Sequence, residues 1–311
     1  MPDVRTPLRP ILKWAGGKRQ LLPELRPFYP RTFSRYFEPF LGSGAVFLDL
    51  YNSGRLDGRD AHLSDINADI IGCYRAVRDH AGLVIAALRR HERRYAASGG
   101  AHYYEVRDGE FNPERHVLHA GRNPAAHYTP QLAAMLIFLN RTGFNGLFRL
   151  NARGAFNVPH GRNTNPRICD EANLLGWSEM LRRQRVALDA RPFDDALADV
   201  SDGDFVYLDP PYAPLSGTAH FTSYTAGGFG PEQQERLQRT VIDSALRGAS
   251  VLLSNSSAPQ IKALYHQNRG ARHAGLRATT VAARRAINSR AASRGPVREY
   301  LITNVKPFVN P

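Results

Sequence analysis

The segment Asp209-Pro210-Pro211-Tyr212 combines residues that could bind a planar amine, and it directly follows an apolar run typical of a buried strand. Two successive prolines fix φ and remove two backbone donors, so the carbonyl of Pro210 can accept a hydrogen bond from a ligand. Asp209 supplies a second acceptor, and Tyr212 supplies an aromatic face. Two acceptors and a stacking ring suit an exocyclic amino group on a planar base. Taken alone, the segment could equally be a rigid turn with a helix-capping aspartate and a packed tyrosine.

A second candidate site lies where a predicted strand over Arg35–Phe40 ends in Gly42-Ser43-Gly44. Glycines there let the backbone approach a ligand closely. Asp65, near the end of the next predicted strand, can accept hydrogen bonds from ribose hydroxyls. A dinucleotide site would need a third glycine where Phe47 stands, so the pattern disfavours nicotinamide and leaves a nucleoside-type cofactor open. A tight strand–helix turn is the alternative, but together with the Asp209 segment the pattern favours ligand binding.

The segment Lys13–Lys18 ends in Gly-Lys and invites comparison with a phosphate-binding loop. Leu12 stands where that loop needs its first glycine, and Arg19 replaces the required serine or threonine. The sequence therefore disfavours hydrolysis of a nucleoside triphosphate.

Charge points to a polyanionic partner. Lysine and arginine number 41 against 28 aspartate and glutamate, a formal net charge of +13. Nucleic acid is the first candidate, although charge alone leaves an ordinary basic enzyme open.

Cys73 and Cys169 predict neither a disulfide framework nor a metal cluster and suit a reducing cytoplasm. Because no apolar signal segment and no long apolar run is present, we expect no membrane span and a cytoplasmic location.

Hydrophobic patterning predicts an α/β fold with a mostly parallel sheet, helices on both faces and a helical, basic insertion. The predicted strands are Arg35–Phe40, His62–Ile66, Asp204–Leu208, Ser250–Leu253 and Val297–Val305. The predicted helices are Ala45–Asn52, Ala68–Arg94, Gln131–Asn140 and Pro231–Leu246. Ala96–Ala101 is predicted to be a loop because it contains Ser98, Gly99 and Gly100. Arg141–Asn165, dense in Gly, Asn and Arg, predicts a loop or hairpin presented to a partner.

These motifs occur in an order that resembles the Dam-type (alpha-class) DNA adenine N6-methyltransferases over nearly the whole chain. The matching segments are LKWAGGK (12–18), EPFLGSG (38–44), LSDIN (63–67), NRTGFNGLFRLNARGAFNVPHGR (140–162), DPPY (209–212), HFTSY (220–224), LLSNS (252–256) and REYLITN (298–304). The resemblance implies a Rossmann-like methyltransferase sheet with an inserted recognition domain that carries a β-hairpin. The expected division is a catalytic domain at 1–67 and 170–311 and a target-recognition domain at 68–169.

The resemblance also implies a site-specific, adenine-specific DNA methyltransferase that uses S-adenosylmethionine and no metal. The implied cofactor-binding residues are Trp14, Lys18, Phe40, Gly42, Asp65 and Asp209, and the implied catalytic residues are Asp209, Pro210 and Tyr212. The target adenine must be flipped out of the duplex to reach such a site. Phe221 and Tyr224 could close over the flipped base, or could simply pack on the sheet as ordinary loop aromatics.

The segment matching 143–162 is, by resemblance, a hairpin in the major groove of double-stranded DNA with GATC as the target. Arg149 would pair with a guanine and Lys13 would touch the first guanine. Bases or their partners would be contacted by Asn145, Leu147 and Pro159, and phosphates by Asn151, Asn157 and Arg162. Phe144 stands where the family commonly has tyrosine, so its ring could still fill the gap left by the flipped base without the hydroxyl. We expect a monomer that associates with the nucleoid through DNA.

Two alternatives remain open. One is methylation of another substrate, such as RNA or a protein amide, although those sites usually carry Asn before Pro-Pro-Tyr. Cytosine N4 enzymes usually carry Ser at the same position, where this chain has Asp209. The other is a catalytically inactive DNA-binding protein on the same scaffold, against which the presence of every cofactor and catalytic position counts. Arg89, Arg90, Arg93 and Arg94 could touch DNA, but a charged helix face in water is favoured.

Overall fold

The structure is a computed structural model that describes residues 6–14, 18–161, 163–183, 185–214, 229–284 and 296–308. The chain divides into two compact units. The first contains Met1–Gly17, Gly42–Gly58 and Asp65–Ala190, and the second contains Lys18–Leu41, Arg59–Ser64 and Arg191–Pro311.

The described chain contains both α-helices and β-strands. The strands are β1 (Arg35–Glu38), β2 (Asp60–Asp65), β3 (Val186–Ala190), β4 (Phe205–Leu208), β5 (Ser250–Ser256), β6 (Arg277–Arg284) and β7 (Pro296–Thr303). The α-helices are α1 (Leu22–Leu25), α2 (Ala45–Asn52), α3 (Ala68–Ser98), α4 (Gly100–Tyr104), α5 (Asn112–Ala120), α6 (Pro130–Thr142), α7 (Glu171–Arg183), α8 (Phe193–Ala196), α9 (Pro231–Leu246), α10 (Pro259–Ile261) and α11 (Arg269–His273). Glu105–Phe111 and Lys262–His266 are π-helical, and short 3₁₀ turns occur at Lys18–Gln20, Arg26–Phe28, Pro124–His127 and Phe144–Gly146.

The second unit holds most of the sheet. Its strands, with β2 up to Ser64, follow the order β2-β1-β4-β5-β7-β6. β2, β1, β4 and β5 run parallel, whereas β7 pairs antiparallel with both β5 and β6. Every residue of β4 is buried, and β4 and β5 share one hydrophobic cluster with Leu237 and Val241 of α9. A buried parallel strand therefore leads directly into Asp209.

The first unit is built around the long helix α3, which packs against α6 and α7. The side chain of Asn67 caps α3 by accepting a hydrogen bond from the N–H of Asp69. Within α3, His80 has non-helical φ and ψ of −136° and 36°, which marks a kink. Trp177 of α7 stacks on Tyr74 of α3 with ring centroids 5.0 Å apart. This helix thus connects the end of β2 with the helical part of the unit.

The α/β prediction is confirmed, and α2 and α9 span the residues predicted for them. The loop predicted over Ala96–Ala101 is wrong, because α3 continues to Ser98 and α4 begins at Gly100. Gly99 alone separates the two helices, and its φ of 53° is a conformation that ends a helix at a single residue.

The sequence analysis did not predict β3 or β6. The mostly parallel sheet is confirmed for the described pairings of β2, β1, β4 and β5, and β7 runs antiparallel to both of its neighbours. The division into a catalytic domain and an inserted recognition domain stays a prediction. No described helix has the length and apolar character needed to span a membrane.

Candidate functional site

The turn that follows β4 contains a buried ion pair. The Nζ atom of Lys18 lies 2.7 Å from Oδ1 of Asp209, and the side chains are only 7% and 21% exposed. The hydroxyl of Ser254, on β5, donates to the same carboxylate oxygen at 3.2 Å. Lys18 also lies over the ring of Tyr212, 4.5 Å from its centroid. The second unit therefore gathers a carboxylate, an ammonium ion and an aromatic ring at the end of one parallel strand.

Burial and charge set the protonation of this cluster. Burial raises the pKa of the Asp209 carboxyl above its ordinary value, while the Lys18 ammonium acts in the opposite direction. Burial alone would lower the pKa of Lys18, but its acidic neighbours, Asp209 foremost, outweigh this and raise that pKa. Lys18 therefore stays charged over the pH range in which Asp209 titrates.

Tyr212 is held by a residue for which the sequence analysis proposed no role. Its hydroxyl donates to Oε2 of Glu299 at 2.6 Å, and burial raises the pKa of Tyr212 above its usual range. Glu299 lies on β7, opposite Ser256 of β5. Ser254 and Glu299 stand in two of the matching segments quoted above, so their position in those segments was the available signal.

A second set of buried polar residues fixes the backbone of the same turn. Gln234 of α9 donates to the carbonyl of Pro211 at 2.9 Å and accepts from the side chain of Asn255 at 3.0 Å. Asn255 in turn accepts from the N–H of Ala213 at 3.3 Å. Among the described residues these hydrogen bonds engage the carbonyl of Pro211 and not that of Pro210. These bonds hold the backbone on both sides of Tyr212, at the carbonyl of Pro211 and the N–H of Ala213.

Phe40, which follows β1, is part of an aromatic group in the second unit. Its ring stacks on Phe193 with centroids 5.5 Å apart and meets Phe229 edge-on at 5.9 Å. Phe40 is only half-buried among these rings. It therefore presents a supported aromatic surface beside the end of a parallel strand.

In the first unit, Gly42 and Asp65 are joined by hydrogen bonds. The N–H of Gly42 donates to Oδ2 of Asp65 at 3.0 Å, and the N–H of Asn67 donates to Oδ1 at 2.9 Å. The hydroxyl of Tyr74 donates to the carbonyl of Gly42 at 3.2 Å. Burial raises the pKa of Asp65 to about 6, although both backbone donors favour its charged form.

The surroundings of Gly42 fit a nucleoside. Gly42 has φ of 46°, and a Cβ added to it would lie 2.7 Å from Cδ1 of Trp14, so only glycine leaves this space open. Trp14 stacks on Phe148 with centroids 5.8 Å apart. Each oxygen of Asp65 accepts one of the backbone N–H bonds above, and a carboxylate has about four acceptor positions, which leaves capacity for hydroxyl donors.

Residues 143–161 fold back on themselves in the first unit. Isolated antiparallel bridges join Gly143 to His160 and Leu150 to Phe156. Arg149 is exposed, and its guanidinium donates to the side-chain oxygen of Asn157 at 2.8 Å. The side chain of Asn151 accepts from two backbone N–H groups of the hairpin turn, at 3.0 Å each.

Side chains of helix α5 hold this hairpin near its turn. Asn112 of α5 pairs with both backbone groups of Phe156, at 2.8 and 3.0 Å. Arg115 of α5, itself paired with the fully buried Asp69, donates to the carbonyl of Gly154. Two side chains of α5 thus anchor the backbone of the hairpin by hydrogen bonds.

Most residues predicted to contact DNA lie on the surface. Lys13, Phe144, Asn145, Arg149, Asn151 and Pro159 are exposed, whereas Leu147 and Asn157 are half-buried. Arg162, Phe221 and Tyr224 lie outside the described residues. On the nearby face of α3, Arg89 pairs with Glu171 and Arg94 with Glu105, as expected for a charged helix face.

Among the residues that the structure describes, no group of three His, Cys, Asp or Glu side chains is arranged to hold a metal ion. Cys73 is buried, and neither it nor Cys169 forms a disulfide.

Comparison with known proteins agrees with this arrangement. Residues 14–282 match the family model described as D12 class N6 adenine-specific DNA methyltransferase. The chain is 36% identical over 301 residues to "Type II methyltransferase M1.LlaDCHI" of Lactococcus lactis subsp. cremoris, covering 96% of this chain and 95% of that protein. It is 34% identical to "DNA adenine methylase" of Escherichia coli, covering 97% of this chain and 98% of that protein. The chain therefore belongs to the D12 class N6 adenine-specific DNA methyltransferases, enzymes that place a methyl group from a donor on adenine in DNA.

Proposed function

We propose that this enzyme transfers the methyl group of S-adenosylmethionine to N6 of an adenine flipped out of double-stranded DNA, within the sequence GATC. The observation that supports this most strongly is the rigid turn after β4. It presents the Asp209 carboxylate, which is hydrogen-bonded and ion-paired, and Asp209 is followed directly by Pro210, whose carbonyl we assign as the second acceptor. Two fixed acceptors are what an exocyclic amino group with two N–H bonds requires.

The two acceptors change the reactivity of the amine. The N6 lone pair of adenine is delocalised into the ring and is a poor nucleophile. Asp209 and the carbonyl of Pro210 each accept a hydrogen bond from one of the two N–H groups. These hydrogen bonds draw the two N–H groups out of the ring plane, which localises the lone pair on N6. Tyr212, held by Glu299, supplies the face on which the base stacks. Because these groups are fixed before the base arrives, no reorganisation is needed at the moment of transfer.

The residues around Gly42 in the first unit suit the methyl donor. S-adenosylmethionine supplies an activated methyl group on a sulfonium centre, so no metal is needed to activate it. Asp65 accepts hydrogen bonds from its ribose hydroxyls, and Gly42 allows close approach of the backbone. Trp14 offers an aromatic surface for the remainder, and the role of Phe40 rests on the family resemblance. Orientation of bound reactants can supply roughly 7–11 kcal/mol of a reaction barrier.

The exposed residues of the hairpin suit recognition of DNA. Flipping the adenine costs a few kcal/mol in lost stacking and pairing. Phe144, 48% exposed, can fill the gap that the base leaves. Arg149 and Lys13 can donate to guanines, and the net charge of +13 supports binding to phosphates.

The proposed function is tested with labelled S-adenosylmethionine and a panel of short duplexes. One duplex contains GATC, and the others differ from it by one base pair. We expect label transfer to the GATC duplex and transfer to the variants that is weaker by about 1–3 kcal/mol for each changed pair. Equal labelling of all duplexes would exclude GATC as the target, and no labelling of any duplex would exclude the donor or the reaction.

Replacing Arg149 by alanine should relax discrimination at one guanine. A bidentate arginine–guanine contact contributes about 1–3 kcal/mol of discrimination, so this amount should be lost from the ratio of kcat/KM values at that position. Arg153→Ala is the matched control, because Arg153 is an exposed arginine of the same hairpin and its loss removes the same charge. If both variants kept the wild-type preference, the assignment of Arg149 would be wrong.

Binding of S-adenosylmethionine should weaken as the pH falls through about 6, the pKa of Asp65 in the free protein. Ribose hydroxyls donate more strongly to the charged carboxylate than to the neutral acid. The affinity for S-adenosylmethionine is therefore highest above that pH and declines as Asp65 takes up a proton. Isothermal titration calorimetry across this range measures the effect. Asp65→Asn, which cannot titrate, should bind more weakly and without this pH dependence. An unchanged pH profile in Asp65→Asn would contradict the role of Asp65.

A further inference from the structure

Two buried asparagines hold the backbone of the N-terminal segment in the first unit. Asn140 of α6 accepts from the N–H of Lys13 at 2.7 Å and donates to its carbonyl at 2.8 Å. Asn173 of α7 makes the same pair of bonds to Arg9, at 2.8 and 2.9 Å. The two side chains are 2% and 6% exposed. Each asparagine therefore fixes the backbone of one residue in a segment without regular secondary structure.

Asn140 differs from Asn173 in making a third bond. Its Nδ2 also donates to the carbonyl of Gly146 at 3.0 Å. Asn145 and Gly146 both have positive φ, 53° and 62°, a conformation that is strained for the non-glycine residue. A Cβ added to Gly146 would lie 2.4 Å from Cβ of Lys13, so the turn and the N-terminal segment are in direct contact.

We propose that Asn140 is a positioning residue that sets the sequence specificity of this enzyme. Asn140 fixes Lys13 and the turn at Asn145 relative to each other. The proposed function assigns Lys13 to a guanine, and the family resemblance implies a base contact for Asn145. Direct base contacts need placement within about 0.5 Å, so losing the link should weaken discrimination more than it weakens the overall reaction. The inference rests on the proposed function and adds a residue that itself touches no base.

The test compares Asn140→Asp with Asn173→Asp. Both changes keep the acceptor for a backbone N–H and remove the donors, but only the first releases the turn at Gly146. The measured quantity is the ratio of kcat/KM values for the preferred duplex and for duplexes changed at one base pair. We expect Asn140→Asp to lower this ratio by at least about fivefold, the lower end of what one direct base contact contributes. Asn173→Asp should leave the ratio unchanged.

Thermal unfolding of both variants separates this effect from a loss of stability. If the two variants had the same ratio of kcat/KM values, both unchanged or both equally lowered, Asn140 would be only structural and the inference would be overturned. If Asn140→Asp does not fold, Asn140→Ala, which introduces no charge, is measured against Asn173→Ala under the same criteria. Failure of the proposed function is distinguishable, because wild-type protein would then show no preferred duplex at all.

Discussion

Asp209→Ala is expected to lower the rate of methyl transfer by on the order of 10²–10³-fold or more, because one of two preorganised contacts to the reacting amine is lost. Single-turnover methylation of a GATC duplex measures this rate. Affinity for DNA, measured by fluorescence anisotropy, should remain near that of the wild type, since the hairpin residues are unchanged. Substantial turnover in the variant would refute the role assigned to Asp209.

Asp204→Ala is the matched control for this experiment. Asp204 is a buried carboxylate that lies just before β4, as Asp209 lies just after it, and it pairs with Arg35 at 2.6 Å. Its loss should destabilise the same strand without removing a group that contacts the substrate. Folded Asp204→Ala protein should therefore methylate DNA at close to the wild-type rate. A loss comparable to that of Asp209→Ala would mean that both effects are structural.

Lys18→Met is expected to move the acid limb of the activity profile to higher pH. The reaction needs the charged form of Asp209, so activity falls as the pH falls through the pKa of that carboxyl. Burial already raises this pKa, and Lys18 opposes the increase. Without the ammonium ion the pKa rises further, and activity is lost at a higher pH. The dependence of kcat on pH measures the shift.

The same variant should be less stable, most strongly near neutral pH. Removing one partner of a buried ion pair costs about 3–5 kcal/mol, because the remaining charge is left uncompensated. The difference from the wild type should shrink as the pH falls and Asp209 becomes neutral. Lys262→Met, which removes an exposed lysine of the same unit, should change neither property. Superimposable pH profiles for Lys18→Met and the wild type would contradict this account of the ion pair.

The elements that could be predicted from the sequence are those with local signals. Pro231 at the first turn and Gly248 just beyond the end marked the bounds of α9. The apolar run before Asp209 marked β4 in the same way. These features depend on neighbouring residues in the chain, so a single sequence is sufficient to find them. The segments around Asp65 and Asp209 were found for the same reason.

Features that depend on pairing between distant segments could not be predicted. β6 is recognised as a strand only through its register with β7. Gln234 stands in a polar stretch of α9 that suggests a solvent-facing residue, yet it is buried because it meets the carbonyl of Pro211. Lys18 was expected beside the cofactor, and its ion pair with Asp209 arises from a contact between residues far apart in sequence.

The most direct measurement is the identity of the methylated atom. Purified enzyme is incubated with S-adenosylmethionine and a duplex containing one GATC site. The duplex is then digested to nucleosides, which are compared by mass spectrometry with standards of N6-methyl-2′-deoxyadenosine and N4-methyl-2′-deoxycytidine. If Asp209 and Pro210 hold the amine of a flipped adenine, the product is N6-methyladenine at that site. An unmodified duplex, or a methyl group on cytosine, would contradict the account.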